Sequence, residues 1–309
     1  MKVQTLINEF LEYLEIERGR SLNTVRNYNI YLKRFADWAK VDSPKNIDLE
    51  MVRKYRLWLN RGGDNGVEMK MNTQNYHLIA LRAFLKYLAK RDIQTMAPEK
   101  IELAKMPDRE VEFLHPHELR RLLEAPLKTE EKEVIKLRDK AIIELLFSSG
   151  LRVSELADLK KDQVHFGNST DGVTEITIRG KGKKLRIVFV SDAAKTYIKK
   201  YLEKRGDTSP ALFVRHDFGS KKEEPKNLTP RSIQRIIHKY ARDAGITKKV
   251  TPHTLRHTFA TDLLLNGADI RSVQAMLGHS SITTTQIYTH ITNSQLRDVH
   301  KNFHKKKKH

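Results

Sequence analysis

Two histidines and an arginine gather at the start of one predicted helix, in the stretch Thr251-Pro252-His253-Thr254-Leu255-Arg256-His257. Thr251 suits an N-cap and Pro252 the first helical position. His253 then falls in the first turn, where unpaired backbone N–H groups and the helix dipole favour a bound phosphate. At about 100° per residue, His253, Arg256 and His257 share one face. Leu255, Phe259 and Leu263 recur every fourth residue on another, so the apolar face can anchor in a core while the polar one borders a cleft. This is anion chemistry, and the geometry alone does not name the reaction.

Other residues of the same character lie elsewhere in the chain. Arg152 follows the glycine stop of Ser148-Ser149-Gly150 and precedes a new helical turn at Val153-Ser154-Glu155-Leu156, which holds it at a junction between helices. Taken by itself, Arg152 is better explained by an ordinary ion pair with Glu155 than by a site. Lys181 sits in Gly180-Lys181-Gly182, between a run in which Val173, Glu175 and Thr177 alternate with Thr174, Ile176 and Ile178 and the β-rich run Leu185 to Val190. That pattern predicts a strand pair with a basic tip, on which Lys183 and Lys184 compete with Lys181 for any acid role. The pair His253 and His257 has metal-ligand spacing, but Leu255-Arg256 between them lacks the glutamate of a zinc protease, and guanidiniums repel a divalent cation.

The elements that must position these residues are mainly helical. In the first hundred residues Leu6, Phe10 and Leu14 mark one amphipathic segment. Ser21 caps a second, carrying Val25, Tyr28, Leu32 and Phe35, and Asp48 a third, carrying Val52, Tyr55 and Leu59. A fourth helix is expected from about Asn72 to Lys90, burying Leu78, Leu81, Leu85 and Leu88, with Gln74, Asn75, His77 and Arg82 facing outward, where Gln74, Asn75 and Arg82 could touch DNA. From Ala97 to Phe113 the apolar period fades and Pro98 and Pro107 appear, so a linker is expected over 97–113 between a domain of 1–96 and one of 114–304. Helices are expected again from Pro116, from Leu137 to Phe147, from Ala193 to Lys204 and from Thr229-Pro230, and 305–309 reads as a basic tail.

Composition narrows the partners. A formal net charge of +20 makes a strongly positive surface, whose commonest partners are nucleic acid or an anionic membrane. No run approaches the roughly 18 apolar residues of a spanning helix, and the start from Met1 to Phe10 is too polar for a signal peptide, so a soluble, intracellular protein without a membrane partner is expected. With no cysteine, disulfides, thiol nucleophiles and thiolate metal sites are excluded.

Gly150-Leu151-Arg152-Val153-Ser154-Glu155-Leu156, Gly180-Lys181-Gly182-Lys183-Lys184, His253-Thr254-Leu255-Arg256-His257, Leu277-Gly278-His279 and Ile287-Tyr288-Thr289-His290 closely resemble, in this order, the motifs of Xer-type tyrosine recombinases. The similarity extends into Ser21-Leu22-Asn23-Thr24 and Leu81-Arg82-Ala83-Phe84-Leu85, and so spans nearly the whole chain. The resemblance implies an all-helical core-binding domain and a mixed α/β catalytic domain with a small antiparallel sheet, closing as a clamp on a DNA duplex, with Thr24 among the residues that touch it. It implies a catalytic set of Arg152, Lys181, His253, Arg256, His279 and Tyr288, with Glu155 supporting Arg152. It also implies strand exchange through a 3′-phosphotyrosyl link, with no metal and no cofactor, by a homo- or hetero-tetramer joined through its last helix, where Leu296, Val299 and Phe303 form an apolar stripe.

The residue types suit that chemistry independently. A phenol of pKa about 10 needs a proton acceptor at neutral pH, and a histidine at a helix N-terminus between guanidiniums is biased toward its neutral form. Arginine forks suit the oxygens of a five-coordinate phosphorus, and a lysine suits protonation of the leaving oxygen. The expected role is chromosome dimer resolution. The alternatives are a phage or mobile-element integrase and, from another class, a non-catalytic DNA-binding protein of the same fold.

Overall fold

The computed structural model describes residues 2–63, 66–106, 112–164, 174–179, 185–216 and 226–278, and divides the chain into two compact units, Met1–Asp108 and Arg109–His309. The first is a helical bundle. Helix α1 (Val3–Ile16) buries Val3, Leu6, Ile7, Phe10 and Leu14. Helix α2 (Leu22–Ala39) starts where the Ser21 hydroxyl accepts the Thr24 N–H, and α3 (Leu49–Asn60) where the Asp48 carboxylate accepts the Met51 N–H at 2.7 Å. Each cap satisfies a backbone donor that the first turn leaves unpaired.

Helix α4 (Met71–Lys90) is buried over most of its circumference, and this overturns the expectation for its polar residues. Gln74, Asn75 and His77 do not face outward; they are buried, and only Arg82 is exposed. Their polar atoms find partners inside the unit, which makes burial tolerable. Gln74 donates to Asn60 Oδ1 and to the Met69 carbonyl, and His77 Nδ1 pairs with the Tyr55 hydroxyl at 3.0 Å. Burial, aided by the charge of Arg34, pushes the His77 imidazole down to about 4, so it is neutral at neutral pH.

Asn75 donates to the Ala104 carbonyl at 2.9 Å and accepts the Ala104 N–H at 3.0 Å. Ile101, after a short 3-10 turn at Pro98–Lys100, is buried in the same core. The early part of the stretch expected to be a linker therefore lies docked on the first unit, and the two units part at Asp108 and Arg109.

The second unit is built round α6 (Glu133–Ser149), which packs on α5 (Pro116–Glu124), α8 (Asp192–Lys204), α9 (Pro230–Asp243) and α10 (Pro252–Leu265). Its Ala141, Ile142, Ile143, Leu145 and Leu146 are at the centre of the core. Strands β1 (Thr174–Arg179) and β2 (Leu185–Val190) pair antiparallel, from Thr174 opposite Val190 to Arg179 opposite Leu185. Alternation puts Ile176, Ile178, Val188 and Val190 inward and leaves Ile187 and Phe189 exposed. The short α7 (Val153–Ala157) and α11 (Ile270–Leu277) complete the unit.

Candidate active site

The site begins where α6 stops. Gly150 is the C-cap of α6 in the left-handed conformation, with φ of 59°. A Cβ at this position would lie 2.6 Å from a Phe259 ring carbon and 2.9 Å from Leu277 Cδ2, so the end of α6 can approach α10 and α11 this closely only as glycine. The turn delivers Arg152 to the start of α7, where arginine, a side chain without acceptors, takes the place of the usual capping residue.

Glu155 supplies what Arg152 lacks. Its carboxylate accepts the Arg152 backbone N–H at 2.8 Å and the Arg152 Nη1–H at 3.0 Å. Its side chain is 6% exposed and that of Arg152 31%, so the acid is enclosed while the guanidinium keeps an open side. Arg152 also donates through Nη2 to the Gly278 carbonyl at 3.2 Å.

Arg256 reaches the same place from α10. The N-cap expected at Thr251 is present, and Thr254 makes it reciprocal: the Thr251 hydroxyl accepts the Thr254 N–H and the Thr254 hydroxyl accepts the Thr251 N–H, both at 3.1 Å. His253 stands exposed in the first turn and His257 half-buried one turn on, while Arg256 is buried. The Arg256 guanidinium donates to the Gly150 carbonyl at 2.5 Å and to the Leu277 carbonyl at 2.6 Å. These carbonyls lie at the C-termini of α6 and α11, where the helix dipoles favour a cation. The two arginines thus hold consecutive carbonyls, Leu277 by Arg256 and Gly278 by Arg152.

A further arginine, passed over in the sequence, completes the cluster. Arg186 lies on β2 with the inward-facing Val188 and Val190 and meets Glu155 in two parallel bonds, Nη1 to Oε1 at 2.8 Å and Nη2 to Oε2 at 2.7 Å. Burial pushes the Glu155 carboxyl up, but the bonds from Arg186 and from the Arg152 N–H, with the charges beside them, outweigh it and hold the group at about 2. Strand parity is the signal that marks Arg186: an arginine in phase with buried valines needs an internal acid.

Arg152, Glu155, Arg256 and the His253 helix start are therefore brought together. Lys181, Lys183, Lys184, His279 and Tyr288, like the apolar stripe at Leu296, Val299 and Phe303, lie outside the described residues. Among the DNA-contact candidates, Thr24 is half-buried with its hydroxyl on Ser21, Arg82 is exposed, and Gln74 and Asn75 are committed internally.

Residues 112–295 match the phage integrase family, and residues 7–92 the N-terminal SAM-like domain of phage integrases. The chain belongs to the phage integrase family of tyrosine recombinases. The general activity of this family is cleavage and rejoining of DNA strands by a tyrosine nucleophile, and the protein is a site-specific tyrosine recombinase. The recombinase is 35% identical over 304 residues to tyrosine recombinase XerD of Listeria monocytogenes serotype 4b, covering 97% of this chain and 98% of that one. It is 36% identical over 314 residues to tyrosine recombinase XerC of Thermodesulfovibrio yellowstonii, covering 97% and 96%. Among solved structures it is similar to the XerH site-specific recombinase in a post-cleavage complex with palindromic difH substrate, at 26% identity and a TM-score of 0.72, covering 91% of this chain and 80% of that one.

Proposed function

We propose that this recombinase exchanges DNA strands at a chromosomal dimer-resolution site, with Arg152, Lys181, His253, Arg256, His279 and Tyr288 as its catalytic set. The observation that carries the reading is the meeting of Arg152 and Arg256 on the Gly278 and Leu277 carbonyls, beside the capped helix start that presents His253. In the reaction the Tyr288 oxygen attacks the phosphorus and its proton passes to His253. Arg152, Arg256 and His279 stabilise the charge on the nonbridging oxygens. Lys181 protonates the leaving 5′-oxygen, so the products are a 3′-phosphotyrosyl ester and a free 5′-hydroxyl, and the ester conserves the bond for religation. The guanidiniums supply the electrostatic stabilisation that metal ions give elsewhere.

The naming of curated relatives as XerD and XerC supports the dimer-resolution role and a tetramer of one or two kinds of recombinase on two DNA sites. The DNA-bound XerH relative supports a clamp on duplex DNA. Thr24 and Arg82 on the first domain and Lys183 and Lys184 on the second are the residues proposed to touch that DNA. No helix among the described residues is long and apolar enough to cross a membrane, and the proposed place of work is nucleoid DNA in the cytoplasm.

The test is a nicked duplex carrying the sequence that the protein selects from a random library. The parent chain should form a covalent adduct that Tyr288→Phe abolishes. An adduct that survives this change refutes the nucleophile. Mapping of genomic binding separates the roles, because dimer resolution requires a single chromosomal site, whereas an integrase would occupy the ends of scattered elements.

A further inference from the structure

We propose that Arg186 is a positioning residue for strand cleavage: it takes up the negative charge of Glu155, so that Glu155 can orient Arg152 without cancelling the charge that Arg152 presents to the phosphate. This rests on the reading of Arg152 as a phosphate clamp.

The geometry assigns the two arginines different shares of one acid. Arg186 makes both parallel bonds to Glu155, at 2.7 and 2.8 Å, and its side chain is 14% exposed. Arg152 makes one side-chain bond at 3.0 Å and keeps 31% of its side chain exposed. Arg152 with Glu155 alone would be a neutral pair, and an enclosed carboxylate in contact with the guanidinium would weaken its field at a phosphate. Adding Arg186 leaves the trio with a net single positive charge, and the open side belongs to Arg152. Lysine could supply the charge but not the fork.

The position of Arg186 ties this device to the rest of the site. It sits on β2 one residue past Leu185, the first residue of the strand, and shortly after Lys181 in the sequence. Its side chain also lies against the Gly278 turn: a Cβ on Gly278 would come within 3.0 Å of Arg186 Cδ and 3.2 Å of its Nε. The carbonyl of the same glycine is held by Arg152.

The experiment measures single-turnover cleavage at saturating protein on the nicked, library-selected duplex, with either a phosphate or a methylphosphonate at the scissile position. Arg186→Gln should slow cleavage of the phosphate by about tenfold to a hundredfold, the usual loss when an outer partner of a site residue is removed, while duplex affinity stays within about threefold. On the methylphosphonate, where a methyl replaces one charged oxygen, that deficit should shrink to a few-fold. Arg186→Lys should restore part of the rate. A residue that merely packs the strand would lose equally on both substrates, and that result, or parental cleavage by Arg186→Gln, overturns the proposal.

Arg186→Gln strands a buried carboxylate and could fail to fold, so the double variant Glu155→Gln/Arg186→Gln carries the same test with neither charge present. It should cleave within about tenfold of the parent, because the amide oxygen can still accept one of the two bonds that Arg152 donates to Glu155, and a larger loss overturns the proposal. A parent chain that forms no adduct on the phosphate duplex refutes the underlying function instead.

Discussion

Gly150→Ala should lower stability and disable cleavage by more than the stability loss explains. The structure sets two costs. Alanine in the left-handed conformation at φ of 59° is strained by about 1–2 kcal/mol. The new Cβ would also stand 2.6 Å from the Phe259 ring and 2.9 Å from Leu277, so ring and leucine must retreat by the better part of an ångström, an overpacking cost of about 1–3 kcal/mol. The smaller unfolded-state entropy of alanine offsets roughly 0.5 kcal/mol, leaving a net loss of about 2–4 kcal/mol. The strain falls on Gly150 and Leu277, whose carbonyls both accept from Arg256, so the clamp moves with them. Urea unfolding gives the stability term, and single-turnover adduct formation well below the unfolding midpoint gives the chemical one. Adding Phe259→Leu should recover part of the packing term and none of the backbone strain. A Gly150→Ala protein within about 0.5 kcal/mol of the parent, the scatter expected of an indifferent surface substitution, would refute the reasoning.

Two further outcomes follow from the hydrogen bonds. Glu155 is held at about 2 in the folded state, below its ordinary value, so its contribution is complete above about pH 5 and is lost as pH falls toward 2. Allowing for solvent screening at the half-open Arg152, this amounts to on the order of 2 kcal/mol. Thermal unfolding between pH 7 and 3 should therefore show a weaker acid dependence for Glu155→Gln than for the parent, and identical profiles would exclude the assignment. Asn75→Ala should cost about 1–3 kcal/mol, because it leaves both polar groups of Ala104 without their side-chain partner. Amide exchange at Ala104 should accelerate, while affinity for the selected duplex stays unchanged; a selective loss of affinity would return Asn75 to the DNA surface.

Apart from the family resemblance, which joined residues as remote as Arg152 and Arg256, what the residues made legible was local. Ser21, Asp48, Thr251 and Gly150 could be read because a cap involves only residues three or four apart, and each acts as expected. The strand pair could be read from alternation in one run and β-rich composition in the next. The polar residues of α4 were misread because the groups that make their burial tolerable are remote: Ala104 lies 29 positions from Asn75, and Tyr55 lies 22 from His77. Helical periodicity distinguishes apolar from polar, and cannot see that an amide has found a backbone partner. Arg186 was missed for the opposite reason. Its parity with Val188 and Val190 was available, but a single arginine in a β-rich run draws no attention until Glu155, 31 positions earlier, is known to face it. The carbonyl partners of Arg256 leave no mark in side-chain identity, since any residue carries a carbonyl.

That last arrangement bears on how loss of activity would be recorded in such a protein. Arg256 is nearly enclosed and joins the ends of α6 and α11, so a descendant that no longer cut DNA would still need it to keep those helix ends together. Arg152, with its open side, would be released from that constraint first. In a lineage decaying toward a mere DNA binder, an intact residue at 256 would testify to architecture, and the residue at 152 would be the earlier witness to vanished chemistry. For the same reason Arg256→Ala makes a poor inactive control at the bench, because it removes a structural tie together with a clamp.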